Sequence, residues 1–344
     1  MKTSVLELGN LIQGFKLSCQ TEGKSPKTTE WYISFLLRFL RFFEQNELPT
    51  QLDHIEKTHI RQFILYLQQE ARTPHKNKPL SGATVQGYVR ALKAFFAWAE
   101  REEYIPTNLM AKIPIPKAEA KLITIFSEAQ IQSLFSLCMS SNGNSVRNML
   151  ILLLLFDCGL RVSELVGIEL DDINLEEGII KIRRAKSSKE RYVPVGSIAQ
   201  KFLWKYINTS RTKPIAPHIT SLLLNDRGLP LTKNGVQQIL RRYSKKAGIT
   251  GTRCSPHTCR HTFARNYLMN GGDIFSLQKI LGHSSLASVR IYLNLFAADI
   301  KKQHRQFSPV DNMGSGNRRR STGLLGQRDI LEKLTNIRAR GRRY

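Results

Sequence analysis

A mainly α-helical protein with one small β-hairpin, divided into two domains, is the fold class that this 344-residue sequence predicts, and three observations carry it. Apolar residues recur every three to four positions through most of the chain, the spacing that gives a helix one buried face. Gly178 to Val195 (GIIKIRRAKSSKERYVPV) places short β-type runs on either side of a basic turn, the pattern of a hairpin. Ile113 to Lys121 (IPIPKAEAK) has two prolines, two lysines and no periodicity, and reads as an extended linker. The expected organisation is a small helical domain over 1–112, a linker over 113–123, a mixed but mainly helical domain over 124–310, and a basic, largely disordered tail over 311–344.

The elements follow in order. Trp31, Phe35, Leu36, Phe39, Leu40 and Phe43 give Pro26 to Asn46 an amphipathic face. A second helix spans Thr58 to Ala71, and a polar loop, Arg72 to Pro79, separates it from a third over Ser81 to Glu103. That third helix turns Val85, Tyr88, Leu92 and Phe96 inward and shows Gln86, Arg90 and Lys93 on its other face, spaced to enter a major groove together or to form an ordinary solvated face. Beyond the linker, helices are expected over Ser127 to Leu137 and Val146 to Phe156. The second is broken at Cys158 and Gly159, just before Arg161. A guanidinium at a break between apolar helices is costly to bury unless it meets an anion, here a ligand or a salt bridge to Asp157 or Glu164.

The hairpin follows, with Arg183, Arg184, Lys186 and Lys189 crowded at its tip, where a phosphate backbone would relieve their repulsion. A helix over Ser197 to Asn208, a strand-like LLLN at Leu222 to Asn225 and an amphipathic helix over Thr232 to Ala247 come next. The polar face of the last, with Arg241 and Arg242, is a candidate for backbone contacts.

A formal charge of +25 implies a polyanionic partner, and its spread along the chain favours nucleic acid over a membrane surface. The longest apolar run, Met149 to Phe156, is too short to span a bilayer, and the amino-terminal stretch lacks the apolar core of a secretory signal, so a cytoplasmic protein is expected. Five cysteines (Cys19, Cys138, Cys158, Cys254, Cys259) without a CxxC pair support neither a disulfide framework nor a zinc site.

The densest chemistry lies in Ser255 to Tyr292 (SPHTCRHTFARNYLMNGGDIFSLQKILGHSSLASVRIY). Ser255 before Pro256 predicts a helix start, which puts His257 and Arg260 near an end where an anion is welcome. Gly271 and Gly272 end that helix, Asp273 caps the next, Gly282 stops it, and His283 follows. A third helix, from Ser284 or Ser285, carries Tyr292.

Four texts, GLRVSEL (Gly159 to Leu165), KSSKERYVPV (Lys186 to Val195), HTCRHTFA (His257 to Ala264) and LGHSSLASVRIY (Leu281 to Tyr292), resemble the motifs of the tyrosine recombinases, the integrase and Xer group. The resemblance covers the second domain and, more weakly, the helical domain, and implies a core-binding domain followed by a catalytic domain. It also implies double-stranded DNA as partner, a 3'-phosphotyrosyl intermediate, and four protomers acting on two sites through a Holliday junction. No cofactor or metal is expected.

The chemistry agrees residue by residue. Tyr292 can attack phosphorus, Arg161 and Arg260 can each fork onto non-bridging oxygens, and His257 can act as base toward Tyr292. Lys186 can protonate the departing 5'-oxygen, in competition with Lys189, and His283 can add a hydrogen bond to phosphate. A mobile-element recombinase is preferred on the basic tail. A Xer-like dimer resolvase, a catalytically silent relative and a relaxing topoisomerase are the alternatives.

Overall fold

The computed structural model describes residues 6–74, 77–118, 124–140, 144–183 and 190–282, with His304 and Ser308. The chain divides into two compact units, Met1–Lys121 and Leu122–Tyr344. No described helix is long and apolar enough to cross a membrane.

The first unit contains helices α1 (Leu8–Thr21), α2 (Pro26–Gln45), α3 (Lys57–Gln69) and α4 (Gly82–Arg101). Side-chain caps start two of them: the Ser25 hydroxyl accepts the Thr28 N–H at 2.9 Å, and that of Ser81 accepts the Thr84 N–H at 3.2 Å. Their apolar faces meet in an aromatic core, where Phe39 stands edge-on to Phe43 and Phe63 with centroids 4.5 and 5.0 Å apart. Removing each such ring from water contributes roughly 1.5–3 kcal/mol.

Helix α1 was not expected. Gly9 and Gly14 weaken its intrinsic propensity, yet a Cβ at Gly14 would stand 3.3 Å from the Trp98 ring, so the glycine lets α1 approach α4 closely. Ile113, read as the first residue of the linker, is 5% exposed and belongs to this core.

In the second unit, α6 (Ser145–Asp157) is buried continuously from Met149 to Leu155 and packs against α5 (Glu128–Ser140), α8 (Ser197–Lys205) and α10 (Pro256–Met269). A helix apolar all round belongs in such a position. Short α7 (Val162–Val166) follows it. Helices α9 (Lys233–Lys246) and α11 (Ile274–Leu281) complete the described helices.

Strands β1 (Ile173–Asn174), β2 (Ile179–Ile182) and β3 (Arg191–Pro194) form an antiparallel sheet in that order, with Ile180 opposite Val193 and Ile182 opposite Arg191. The hairpin is as expected, and β1 is an added strand. Leu222 to Asn225 is not a regular strand: Leu222, Leu223 and Leu224 are all buried, and only the isolated bridges Glu169 to Ser221 and Leu224 to Pro230 mark its passage. Consecutive burial removes the alternation that a one-sided strand would show. The helix expected to run to about Asn208 is α-helical to Lys205 and continues as a π-helix over Tyr206–Ser210, where the buried Tyr206 hydroxyl accepts the Leu224 N–H at 3.3 Å.

Candidate active site

The site is built where α6 ends. Gly159 adopts φ +60°, and a Cβ there would lie 2.3 Å from the Phe263 ring, so only glycine permits the turn. Its carbonyl accepts Arg260 Nη1 at 2.7 Å, which ties the turn to α10. Arg161 follows immediately before α7, with its side chain 35% exposed.

The buried Glu164 carboxylate, on α7, organises what surrounds it. Its Oε2 accepts the Arg161 backbone N–H at 2.8 Å and its Oε1 accepts Arg161 Nη1 at 2.8 Å. Arg191, from β3, donates Nη1 to Oε1 at 3.0 Å and Nη2 to Oε2 at 2.9 Å. Arg260 Nη1 stands 3.9 Å from Oε2. Burial alone would raise the Glu164 carboxyl, but the Arg191 fork, the Arg161 N–H and the Arg161 guanidinium outweigh it and hold the group below its ordinary value. Of the two acids offered to Arg161 by the sequence, Glu164 is therefore the partner. Asp157 accepts the Gly196 N–H at 2.7 Å instead, and burial pushes its carboxyl up.

Ser255 caps α10 by accepting the Thr258 N–H at 3.2 Å, with Pro256 in the first turn as expected. His257 is exposed at that helix start, and Arg260 lies one turn on, only 4% exposed. Arg260 also donates Nη2 to the Leu281 carbonyl at 2.6 Å, at the end of α11. Asp273 caps α11 through the N–H groups of Phe275 and Ser276, and Gly282 ends it at φ +63°. Burial, then the neighbouring His257 and Arg260, lowers the pKa of His261 and favours its neutral ring. The cysteines are all free thiols, and burial pushes Cys158 and Cys259 well above the ordinary thiol range.

Beside His257 opens a groove of about 530 Å³, lined by Val162, Arg241, Lys245, Arg253 and the start of α10 among others. Arg241 thus borders the histidine. Its neighbour Arg242 faces a different hollow, with Arg147 and Asp226. The structure brings Arg161 and Arg260 together on one carboxylate, with His257 on the Arg260 helix. Lys186, Lys189, His283 and Tyr292 lie outside the described residues.

Two polar features differ from expectation. Arg183 is not a free cation of the hairpin, because its Nε donates to Asp172 Oδ1 at 2.6 Å and its Nη1 to Glu169 Oε2 at 2.5 Å. On α4, Gln86 Nε2 donates to the Pro116 carbonyl at 2.9 Å and Lys93 Nζ to the Met110 carbonyl at 2.8 Å, whereas Arg90 is exposed. The polar face of α4 therefore carries a length of its own chain.

Arg191 went unread in the sequence. Its signal was the strand alternation, which puts Arg191 in phase with the buried Val193 and Val195.

Comparison with known proteins agrees with this architecture. Residues 124–298 match the Phage integrase family, and residues 11–105 match the family of the phage integrase N-terminal SAM-like domain. Tyrosine recombinase XerD of Staphylococcus saprophyticus is 31% identical over 304 residues, 88% of this chain and 99% of that relative. Two solved structures share the fold. XerH site-specific recombinase, bound to a palindromic difH substrate in a post-cleavage complex, superposes with a TM-score of 0.67 at 22% identity, over 82% of this chain and 80% of that one. The Tn1549 transposon integrase, in complex with a circular intermediate DNA, gives a TM-score of 0.67 at 20% identity, over 87% and 99%. The chain belongs to the phage integrase family and is a tyrosine-type site-specific recombinase, an enzyme of DNA breakage and rejoining.

Proposed function

We propose that this recombinase cuts duplex DNA through a covalent 3'-phosphotyrosyl link to Tyr292 and serves to integrate or excise a mobile element, as four protomers on two sites. The observation that carries the chemistry is the gathering of Arg161 and Arg260 on Glu164, with the exposed His257 at the start of the Arg260 helix. A scissile phosphate seated there meets guanidinium donors fixed in advance, which stabilise charge as it develops on the non-bridging oxygens. His257 takes the phenolic proton as the Tyr292 oxygen bonds to phosphorus, and Lys186 gives a proton to the departing 5'-oxygen. Rejoining reverses the step, with a 5'-hydroxyl displacing the tyrosine oxygen. His283 donates to the phosphate. Arg90 and Arg241, both exposed, are the arginines we assign to the DNA backbone, with Lys245 and Arg253 beside Arg241. Gln86, Lys93, Arg242 and Lys189 are secondary candidates.

The mobile-element role rests on the basic segment over 311–344 and on fold similarity to a transposon integrase. A second reading, resolution of chromosome or plasmid dimers, is favoured by the XerD relative, which aligns over 99% of its length. A nicked suicide duplex drawn from the DNA flanking the gene tests both. In chelator, the native chain should give a protein–DNA adduct that Tyr292→Phe abolishes. Adduct on the flanking DNA supports the element, whereas adduct confined to a chromosomal resolution site supports the second reading. An adduct that persists in Tyr292→Phe removes the tyrosine from its role.

A further inference from the structure

Outside the residues assigned to the reaction, one mostly buried cation touches three parts of the site. Arg191 opens β3, five residues after Lys186, and its side chain is 10% exposed. Two of its nitrogens grip the two oxygens of Glu164, at 3.0 and 2.9 Å, in a bidentate fork. Its third donor, Nε, reaches the Ile280 carbonyl at 2.8 Å, in the last turn of α11. That carbonyl belongs to a helix end, where partners are otherwise lacking and a cation is welcome. The guanidinium also packs beside Gly282. A Cβ there would stand 3.0 Å from Cζ, Nε and Nη1, so the left-handed glycine leaves the space that the guanidinium fills. His283 is the next residue in the chain.

Glu164 holds both Arg161 and Arg191, and its geometry decides where the Arg161 guanidinium stands. A lone buried carboxylate with one half-exposed arginine could rotate toward that arginine and draw it inward, away from a ligand. With Arg191 gripping both oxygens and the Arg161 backbone N–H on Oε2, the carboxylate plane is fixed, and the Arg161 guanidinium is left attached through one nitrogen at 2.8 Å. We propose that Arg191 is a positioning residue for cleavage: by clamping Glu164 and the end of α11, it fixes Arg161 for the scissile phosphate. This rests on the reading of Arg161 as a phosphate ligand.

The test uses the full-length protein and a suicide duplex built on a site selected by that protein from a randomised pool. It is made in two forms, with an ordinary scissile phosphodiester and with a neutral methylphosphonate at the same position. The neutral link needs less cationic stabilisation, so loss of an arginine that serves the phosphate should matter less on it. Arg191→Ala should bind the duplex within about twofold of the native Kd and cleave the phosphodiester about 100-fold more slowly, the scale set by losing one preorganised donor. On the methylphosphonate its deficit should shrink at least tenfold, in step with that of Arg161→Ala. Arg191→Lys keeps a counter-charge for Glu164 without the fork, which guards against simple misfolding; it should bind normally and cleave at a rate between the two.

Native-like cleavage by Arg191→Ala overturns the proposal. So does a deficit of the same size on both substrates while that of Arg161→Ala shrinks, because that pattern marks general damage. If Arg161→Ala itself cleaves as the native chain does, the phosphate role of Arg161 fails, and the positioning role of Arg191 falls with it.

Discussion

The two units treat buried polarity in opposite ways. In the first, Thr29 is the one buried polar residue among those described, and its hydroxyl, like the Trp98 indole N–H, has no hydrogen-bond partner among the described residues. The core there is an assembly of rings and aliphatic chains that tolerates such loose ends. In the second, Arg147, Glu164, Asp172 and Arg260 are all buried, and each has a charged or carbonyl partner. Burying ions contributes little net stability, since desolvation offsets most of the attraction. The second unit accepts that cost where it holds the candidate site, so its charges are better understood as fixing geometry than as adding stability.

The largest effect that would break this contrast comes from Glu164→Ala. It strands Arg191 and Arg260 without their shared carboxylate, and should reduce the stability of the second unit by about 3–5 kcal/mol in denaturant unfolding. A loss below about 1 kcal/mol would mean that the arginines do not depend on it. The mirror experiment in the first unit is Thr29→Val, which replaces an unpaired hydroxyl by a methyl group of like shape. Stability should be unchanged or raised by up to about 1 kcal/mol, and a clear loss would reveal a bond to that hydroxyl.

The finest distinction lies between two carboxyls. Glu22, in the first unit, is lowered to about 2 by Lys24 and Arg101 but lies at the surface. Glu164 is lowered by arginines inside the protein, against its own burial. Because both are lowered, both favour folding above their ordinary value of 4.5, and that contribution is lost as pH falls through the folded-state value. In 1 M salt the Debye length falls to about 3 Å. Carboxyl NMR titrations should then show Glu22 moving back toward 4.5, while Glu164 stays low. Equal movement of both would place Glu164 in water.

Sequence alone carried the helices well, because Phe39, Phe63 and Phe96 fall on single helical faces and because Ser255 and Asp273 are caps that can be read locally. It failed where neighbours override local preference. Gly9 and Gly14 hid α1, since only the packed Trp98 explains why a helix should hold a glycine there. Three consecutive buried leucines at 222–224 looked like a strand because hydrophobicity records burial and not pairing. In the site, the resemblance named Arg161 and Arg260. What holds them was harder to read, because Glu164 and Arg191 are 27 residues apart and their bond exists only once β3 has folded against the turn. A carboxylate inside the apolar run of α7 was the local sign that a cation had to be found elsewhere.

The chain carried by the polar face of α4 changes how genetic data on this protein should be interpreted. Gln86 and Lys93 hold the carbonyls of Pro116 and Met110, so replacing either one frees a length of chain as well as removing a side chain. A recombination defect from Gln86→Ala or Lys93→Ala would therefore combine two causes, and a mutational scan that scored it as a lost DNA contact would misplace the interface. Arg90 is exposed on the same face and, among the described residues, reaches only Gln86 Oε1, at 3.4 Å, and no carbonyl of that segment, which makes it the more informative position. A phenotype at Arg90 bears more directly on the proposed DNA contact, and phenotypes on either side of it are first evidence about the chain itself.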